Sequence, residues 1–434
     1  MNNSLQFFVA ILPKLRLFCL LVDLLDAFCP VMGWSLTSRN WSAARPVLLG
    51  SVGICLSGLY TFVWPRVSPK SMEGWRLSRT ELRELLNKYE RTVEDDAYFL
   101  VQPSNAERQM LGPDLLQRRV SAVREARDQN RRFIEQVIED LPDIMAGPDA
   151  AVLPGRPVAE FRSLGDGITT LPASSYGSLA SVFLHMMRDW SEVCEHVITV
   201  QYTPVLQKLK EVLPSGGNVL LPGAGLGRLA LMLSAEGFQV EANDASRLFL
   251  TFADYILNRA PKKQMMLFPL AHVFSENYGH AQQYTQISVP SIAPENLVNL
   301  VKSDQTRPPL RIVPGDFIKT YQVGGPGFRR FDALVTCFFI DTPKDVEELF
   351  RVMDGLLEEG GVWVNLGPLN WRKEARMKLT WEEIVSIWQR KGFEFLSQKS
   401  IECDYHIPRG RKFYTESYNV VLSVAVKRSK VPSD

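Results

Sequence analysis

The period of the apolar residues changes along the chain, and the changes divide it. Over Leu5–Val31, Leu, Phe and Val are dense but are interrupted by Pro13, Lys14, Arg16, Asp23 and Asp26, which argues against a clean membrane span. Val47–Val63 runs seventeen residues without a charge, between Arg45 and the group Trp64, Arg66 and Lys70. That length lies at the lower limit for crossing a bilayer, so a membrane anchor, a signal segment and a buried hairpin all stay open. From Ser78 the period turns helical. Ser78-Arg-Thr-Glu81 has the form of a capping box, followed by Leu82, Leu85, Leu86 and Tyr89 at helical spacing. A second helix is predicted from about Asp114 to Leu141, with Leu116, Val120, Val123, Phe133, Val137 and Ile138 as its inner stripe. Pro142 to Pro172, rich in Pro, Gly, Asp and Ala, reads as a linker or long irregular loop.

A helical run over Ser178–Pro204 leads into short apolar strands alternating with helices. Val219–Leu221 is predicted as a buried strand, followed by a glycine turn and a helix opening near Leu226. Phe238–Ala242 is the next strand, ending in Asn243-Asp244, and Ser246–Asn258 the next helix. Pro261 to Arg311 then breaks the rhythm as a long insertion carrying His272, Phe274, Ser275, Asn277 and His280, the kind of segment that commonly selects a substrate. Phe331–Ile340 is apolar enough to be central in a parallel sheet, with Asp341 at its C-terminal end. Val346–Leu357 is a helix, Glu359-Gly-Gly a turn and Val362–Leu366 a strand; Phe393–Leu396 and Tyr418–Val426 are predicted as a closing antiparallel hairpin. The alternation is that of an α/β doubly wound, Rossmann-like sheet.

Composition narrows the function classes. A chain of 434 residues holds two domains, or one with additions. The net charge is +1, and no basic run is interleaved with aromatics, so nothing recommends nucleic acid as a partner. Six cysteines (Cys19, Cys29, Cys55, Cys194, Cys337, Cys403) stand apart, without a C-x-x-C pair or a His at metal spacing, so no metal site is expected. They read as reduced thiols, which suits the cytoplasm, either cytosol or nucleus; attachment to a membrane through 47–63 is the alternative. Oligomeric state is not legible, and a homo-oligomer stays open. The expected organisation is a hydrophobic extension over 1–70, a helical region and linker over 71–175, and a catalytic α/β domain over 176–434 with the insertion 261–311.

The candidate chemistry centres on Gly223-x-Gly225-x-Gly227. A dinucleotide turn has its third glycine one position later, where this chain has Arg228, which disfavours an oxidoreductase and favours S-adenosylmethionine as cofactor. About twenty residues on, Asp244 stands where a carboxylate meets a ribose. His185 and Arg188, three apart, share a helix face upstream of the turn. Asp316-Phe317 follows another strand, an acid and an aromatic that suit an adenine.

Taken together, Arg188-Asp-Trp-Ser-Glu192, Val219-Leu-Leu-Pro-Gly-Ala-Gly-Leu-Gly-Arg-Leu-Ala230, Gly315-Asp-Phe317, Thr336-Cys-Phe-Phe-Ile-Asp-Thr342 and Gly360-Gly-Val-Trp-Val-Asn-Leu-Gly-Pro-Leu369 resemble the carnosine N-methyltransferase family. The resemblance covers roughly Arg76 to Lys427 and implies a fold of the class I methyltransferase type. It implies an S-adenosylmethionine-dependent enzyme that methylates the imidazole of carnosine to give anserine. It also implies a small-molecule or dipeptide partner and assigns residues. Arg188, Gly223, Gly225, Asp244, Asp316, Phe317 and Cys337 would hold the cofactor; Asp341 and Tyr418 would face the dipeptide.

This chain departs from the family pattern at three positions. His185 stands where the family has Gln and joins the expected cofactor shell; Asp244 stands where it has Glu. Where the family places a substrate-contacting His after Gly-Pro-Leu, the chain reads Asn370-Trp-Arg372, and a guanidinium offers no neutral acceptor. Arg372 is therefore expected at the substrate, and another small amine, imidazole peptide or protein histidine stays open as the methyl acceptor. Asp341 is the expected catalytic residue, accepting a hydrogen bond from the second ring N–H. A membrane-tethered protein that binds the cofactor without turnover is the alternative outside enzymes.

Overall fold

The structure, a computed structural model, describes residues 74–141, 158–161, 178–260, 265–299, 310–406 and 415–428. The expected extension, with the segment 47–63, lies outside the described residues. Residues 68–434 cluster as one unit. Among the described residues, no helix is long and apolar enough to cross a membrane.

Helix α1 (Arg79–Asp96) opens on the expected capping box, in which the Glu81 carboxylate accepts the Ser78 N–H at 2.7 Å and the Ser78 hydroxyl accepts the Glu81 N–H at 3.2 Å. Helix α2 (Pro113–Asp140) starts where Gly112, at φ 72°, breaks the chain ahead of a proline suited to a first helical position. Val123, Phe133, Val137 and Ile138 are buried as the stripe requires; Leu116 and Val120 are half-buried. The two helices share a core with the sheet rather than standing apart from it. Within the stretch expected as linker, Ala159–Phe161 forms strand β1, and Phe161 stacks on Trp75 at 4.7 Å.

The helical run expected over Ser178–Pro204 is broken. Helix α3 (Leu179–Trp190) ends at Ser191, whose backbone is extended and whose hydroxyl donates to Met187 O. Short irregular turns then lead to α4 (Thr203–Val212). Next come β2 (Asn218–Pro222), α5 (Arg228–Ala235), β3 (Gln239–Asp244) and α6 (Arg247–Asp254). In the insertion, β4 (Met265–Leu267) and β5 (Ile287–Val289) pair as a small antiparallel sheet of their own.

The main sheet is completed by β6 (Leu310–Pro314), β7 (Phe331–Cys337), β8 (Leu357–Gly367), β9 (Phe393–Asp404) and β10 (Ser417–Lys427), with α7 (Phe317–Tyr321), α8 (Val346–Leu356) and α9 (Trp381–Arg390) between them. Its order is β1-β6-β3-β2-β7-β8-β10-β9. All neighbours are parallel up to β8, and β10 runs antiparallel to both β8 and β9. The parallel block reversed by one terminal hairpin is the class I methyltransferase arrangement that the sequence led us to expect. Strand β9 reaches twelve residues, well past Leu396, because its middle is exposed and polar at the sheet edge and carries no apolar period. Helix α9 was not anticipated: only Ile384 and Trp388 are buried in it, and its start rests on a Thr380–Glu383 capping box.

Asn130 on α2, fully buried, shows how the helices are tied to the insertion. Its Nδ2 donates to Tyr89 Oη and to Phe268 O, both at 2.9 Å, and its Oδ1 accepts the Phe268 N–H at 2.8 Å. Asn130→Ala would leave both Phe268 backbone groups buried without these partners, and a stability loss of about 3 kcal/mol is expected. Denaturant unfolding of the two proteins side by side measures it; a loss below about 1 kcal/mol would mean that water replaces the carboxamide.

Candidate active site

The ends of β2, β3 and β6 are locked together by polar contacts. Past Pro222 the chain needs left-handed backbone three times, at Gly223 (φ 72°), Gly225 (φ 54°) and Gly227 (φ 80°). Their roles differ. A side chain at Gly223 would meet Phe339 at 2.8 Å and one at Gly227 would meet Leu257 at 2.8 Å, whereas nothing stands within 4 Å of the equivalent point at Gly225. Gly225 therefore presents bare backbone to open space, the condition for close approach of a ligand. The Asp244 carboxylate accepts the Gly225 N–H and the Ser246 N–H, each at 2.8 Å. Burial raises its pKa, against the pull of these N–H groups. Asn243 donates to Val313 O (2.8 Å) and Gly315 O (2.9 Å), which fastens β3 to the end of β6.

Two further elements bring side chains to the same place. Asp316 caps α7, accepting the Lys319 N–H at 3.0 Å, and Phe317 packs edge-on to Phe339 at 5.5 Å. On α3, Arg188 grips Asp189 through Nε (2.7 Å) and Nη2 (3.1 Å), and Tyr202 Oη donates to the same carboxylate at 2.8 Å. The guanidinium lies 5.2 Å from the Tyr405 ring centre. Burial opposes its charge, but Asp189, Tyr202 and Tyr405 together hold its pKa above the usual arginine value.

His185 Nδ1 lies 2.8 Å from Ser181 O. A carbonyl only accepts, so this nitrogen carries the proton and Nε2 keeps the lone pair. Burial first, and then the charges of Arg188 and His406, hold the ring well below an ordinary histidine pKa; the half-buried residue is part of the cavity wall.

The cavity so formed measures about 860 Å³. His185, Arg188, Gly223, Gly225, Asp244, Asp316, Phe317, Cys337 and Arg372 all line it. Cys337 is a free thiol whose pKa burial pushes up to about 12, so it serves as a neutral wall atom rather than a nucleophile.

Two expected residues do not line the cavity: Asp341 and Tyr418. The reason lies in Phe338, which has φ 52° and donates its N–H to Leu366 O. This left-handed residue ends β7 at Cys337, where the apolar run predicted a strand to Ile340. Phe338 and Phe339 then reach the cavity, and Ile340 and Asp341 are buried. Asp341 accepts the Asn370 N–H at 2.7 Å, and Asn370 Nδ2 donates to Tyr418 Oη at 3.3 Å, so the two expected residues are joined through Asn370. The insertion, expected to select the substrate, contributes no described residue to the cavity. His272 instead packs edge-on to Tyr89. Asp189, Tyr202 and Tyr405 went unread; only Asp189, beside Arg188, carried a signal in its position.

Residues 170–429 match the family described as carnosine N-methyltransferase, more than half of the chain. The chain belongs to the carnosine N-methyltransferase family. It is 29% identical over 249 residues to the carnosine N-methyltransferase of Schizosaccharomyces pombe, which covers 52% of this chain and 65% of that protein. To that of Mus musculus it is 30% identical over 274 residues, 59% of this chain and 65% of that protein. The chain thus spans just under two thirds of the length of these curated relatives.

A ring kept neutral in the folded state makes stability depend on pH. Unfolded histidine titrates near about 6.5, and burial holds His185 and His406 below that. As pH falls below 6.5 the unfolded chain alone gains these protons, so stability falls, by up to about 1.4 kcal/mol per pH unit for each ring, until the folded pKa is reached. His185→Gln is expected to flatten this slope, measured by denaturant unfolding between pH 7.5 and 5.5; an unchanged slope would mean that His185 is not held neutral.

Proposed function

We propose that the chain is an N-methyltransferase that moves a methyl group from S-adenosylmethionine to the imidazole of carnosine or a related histidine-containing dipeptide. The observation that carries this is the single cavity wall on which Arg188, the glycine turn, Asp244, Asp316, Phe317 and Cys337 come together from five separate segments of the chain. These residues fit the cofactor chemically. Gly225 leaves bare backbone for close approach, Asp244 offers a carboxylate to hydroxyls, Phe317 and Phe339 offer aromatic walls, and Arg188 offers a cation to a carboxylate. S-adenosylmethionine supplies an electrophilic sulfonium methyl.

The protein's task at the acceptor is placement. An imidazole near neutral pH already has a lone pair on one nitrogen, and the wall must decide which one. Asp341 is our candidate to accept the N–H of the other nitrogen: its neighbour Thr342 and its electrostatic partner Arg372 both line the cavity. Burial raises the Asp341 pKa, against the pull of the Asn370 N–H and the Arg372 charge, which suits a group that shares a proton with an imidazolium. Arg372, exposed at the same wall, is suited to the carboxylate of the dipeptide.

The test incubates the full chain with labelled S-adenosylmethionine and, separately, carnosine, homocarnosine, histidine and β-alanyl-histamine, which lacks the carboxylate. Transfer to carnosine is expected, with β-alanyl-histamine poorer by about tenfold and that preference lost in Arg372→Met. No transfer to any imidazole while cofactor still binds would overturn the proposal. Asp341→Asn keeps an oxygen for the Asn370 N–H and removes the charge. It is expected to lower turnover on the order of a hundredfold while S-adenosylhomocysteine affinity stays within about twofold; unchanged turnover would reduce Asp341 to a pin for the Asn370 loop.

A further inference from the structure

Behind the glycine turn stands a cation whose buried nitrogens lack partners. Arg228 occupies the first position of α5, and its Nε and Nη1 are buried without a hydrogen-bond partner. Its guanidinium lies 5.0 Å from the Trp190 ring centre, and Trp190 is itself held by Nε1–H on Leu226 O at 3.2 Å. Each feature of this placement works against stability. The charge loses part of its water, two donor nitrogens go unpaired, and a cation sits at the positive end of a helix. The aromatic face returns only part of that cost.

The carboxylate whose field reaches Arg228 most strongly is Asp189, and Asp189 is already held by Arg188 in two contacts and by Tyr202 in a third. Glu195, the other carboxylate whose field reaches Arg228, is exposed to solvent and therefore screened, so the part of the group shielded from water, Arg188, Arg228 and Asp189, carries two positive charges and one negative. The excess lies beside a cavity that Arg188 lines and Arg228 does not. Residues that break local rules in this way are expected where function requires it.

We propose that Arg228 is a positioning residue that keeps the Arg188 end of the cavity positive after Asp189 has neutralised Arg188, so that this end takes ligands bearing a carboxylate. The inference rests on the proposed cofactor, whose amino-acid portion would bring that carboxylate. It acts through the field and needs no contact between Arg228 and the ligand. Asp189 fixes the direction of the Arg188 guanidinium, and Arg228 restores the charge that this fixing cancels.

The experiment compares two ligands by calorimetry on the full chain. S-adenosylhomocysteine has the amino-acid carboxylate; 5′-methylthioadenosine shares its nucleoside and lacks that portion. Arg228→Gln is expected to weaken S-adenosylhomocysteine on the order of tenfold and methylthioadenosine by less than about twofold, whereas Arg228→Lys stays within about threefold for both. Equal weakening of both ligands in Arg228→Gln would make Arg228 a support for the turn and overturn the proposal, as would an Arg228→Lys protein that loses as much affinity as Arg228→Gln. Should Arg228→Gln not fold, Arg228→Lys alone decides by its ratio of the two affinities: a ratio like that of the unsubstituted protein supports the role of charge, and a ratio collapsed towards one overturns it. Failure of the unsubstituted protein to bind S-adenosylhomocysteine would instead sink the cofactor reading beneath the inference.

Discussion

The structure depends on one carboxylate that closes the ends of two parallel strands. Asp244 takes the Gly225 and Ser246 N–H groups on its side chain and the Gly315 N–H on its carbonyl, while Asn243 O accepts the Ala224 N–H at 2.9 Å. Parallel strands leave their last carbonyls and the following N–H groups without a ladder partner, and here those groups are paired across the ends of β2, β3 and β6. The left-handed glycine turn is thereby held in one shape, and α5 and α6 start from fixed points. The cavity opens over that edge, where Gly225 presents bare backbone.

The second support comes from outside the parallel block. Helix α3 is buried along Val182, Phe183, Met186 and Met187, and the helices before the sheet share its core. That packing fixes Arg188 and His185 against the strand ends. The terminal hairpin answers from the opposite side, through Tyr405 over the guanidinium and His406 at 4.8 Å from the His185 ring. Elements more than two hundred residues apart in the chain thus set one corner of the site. The family to which the chain belongs could be read from its motifs, but this corner is made by tertiary packing.

The fold was legible wherever period and glycine agreed. The alternation from Val219 to Leu366 and the closing hairpin could be read because each buried strand is short, apolar and bounded by a turn. Strand β9 and helix α9 were harder, since an edge strand with polar faces and a helix with two buried anchors carry little hydrophobic period. At the site, the residues that face the cavity from strand ends were readable, for the topology puts them there. The end of β7 was misread because one left-handed residue, Phe338, stops the strand at Cys337 where the apolar run continues to Ile340, and no local rule makes Phe a candidate for that conformation. Tyr202 and Tyr405 reach Asp189 and Arg188 only through long-range packing, which no spacing rule encodes.

Where the cofactor sits is the central claim, and hydrogen exchange of the full chain with and without S-adenosylhomocysteine tests it most directly. Added ligand is expected to slow exchange at residues 185–188, 223–227, 244–246 and 316–318, the segments that wall the cavity, and to leave the small sheet of β4 and β5 unchanged. Protection confined to the insertion or to α1 and α2, with the glycine turn unaffected, would contradict it.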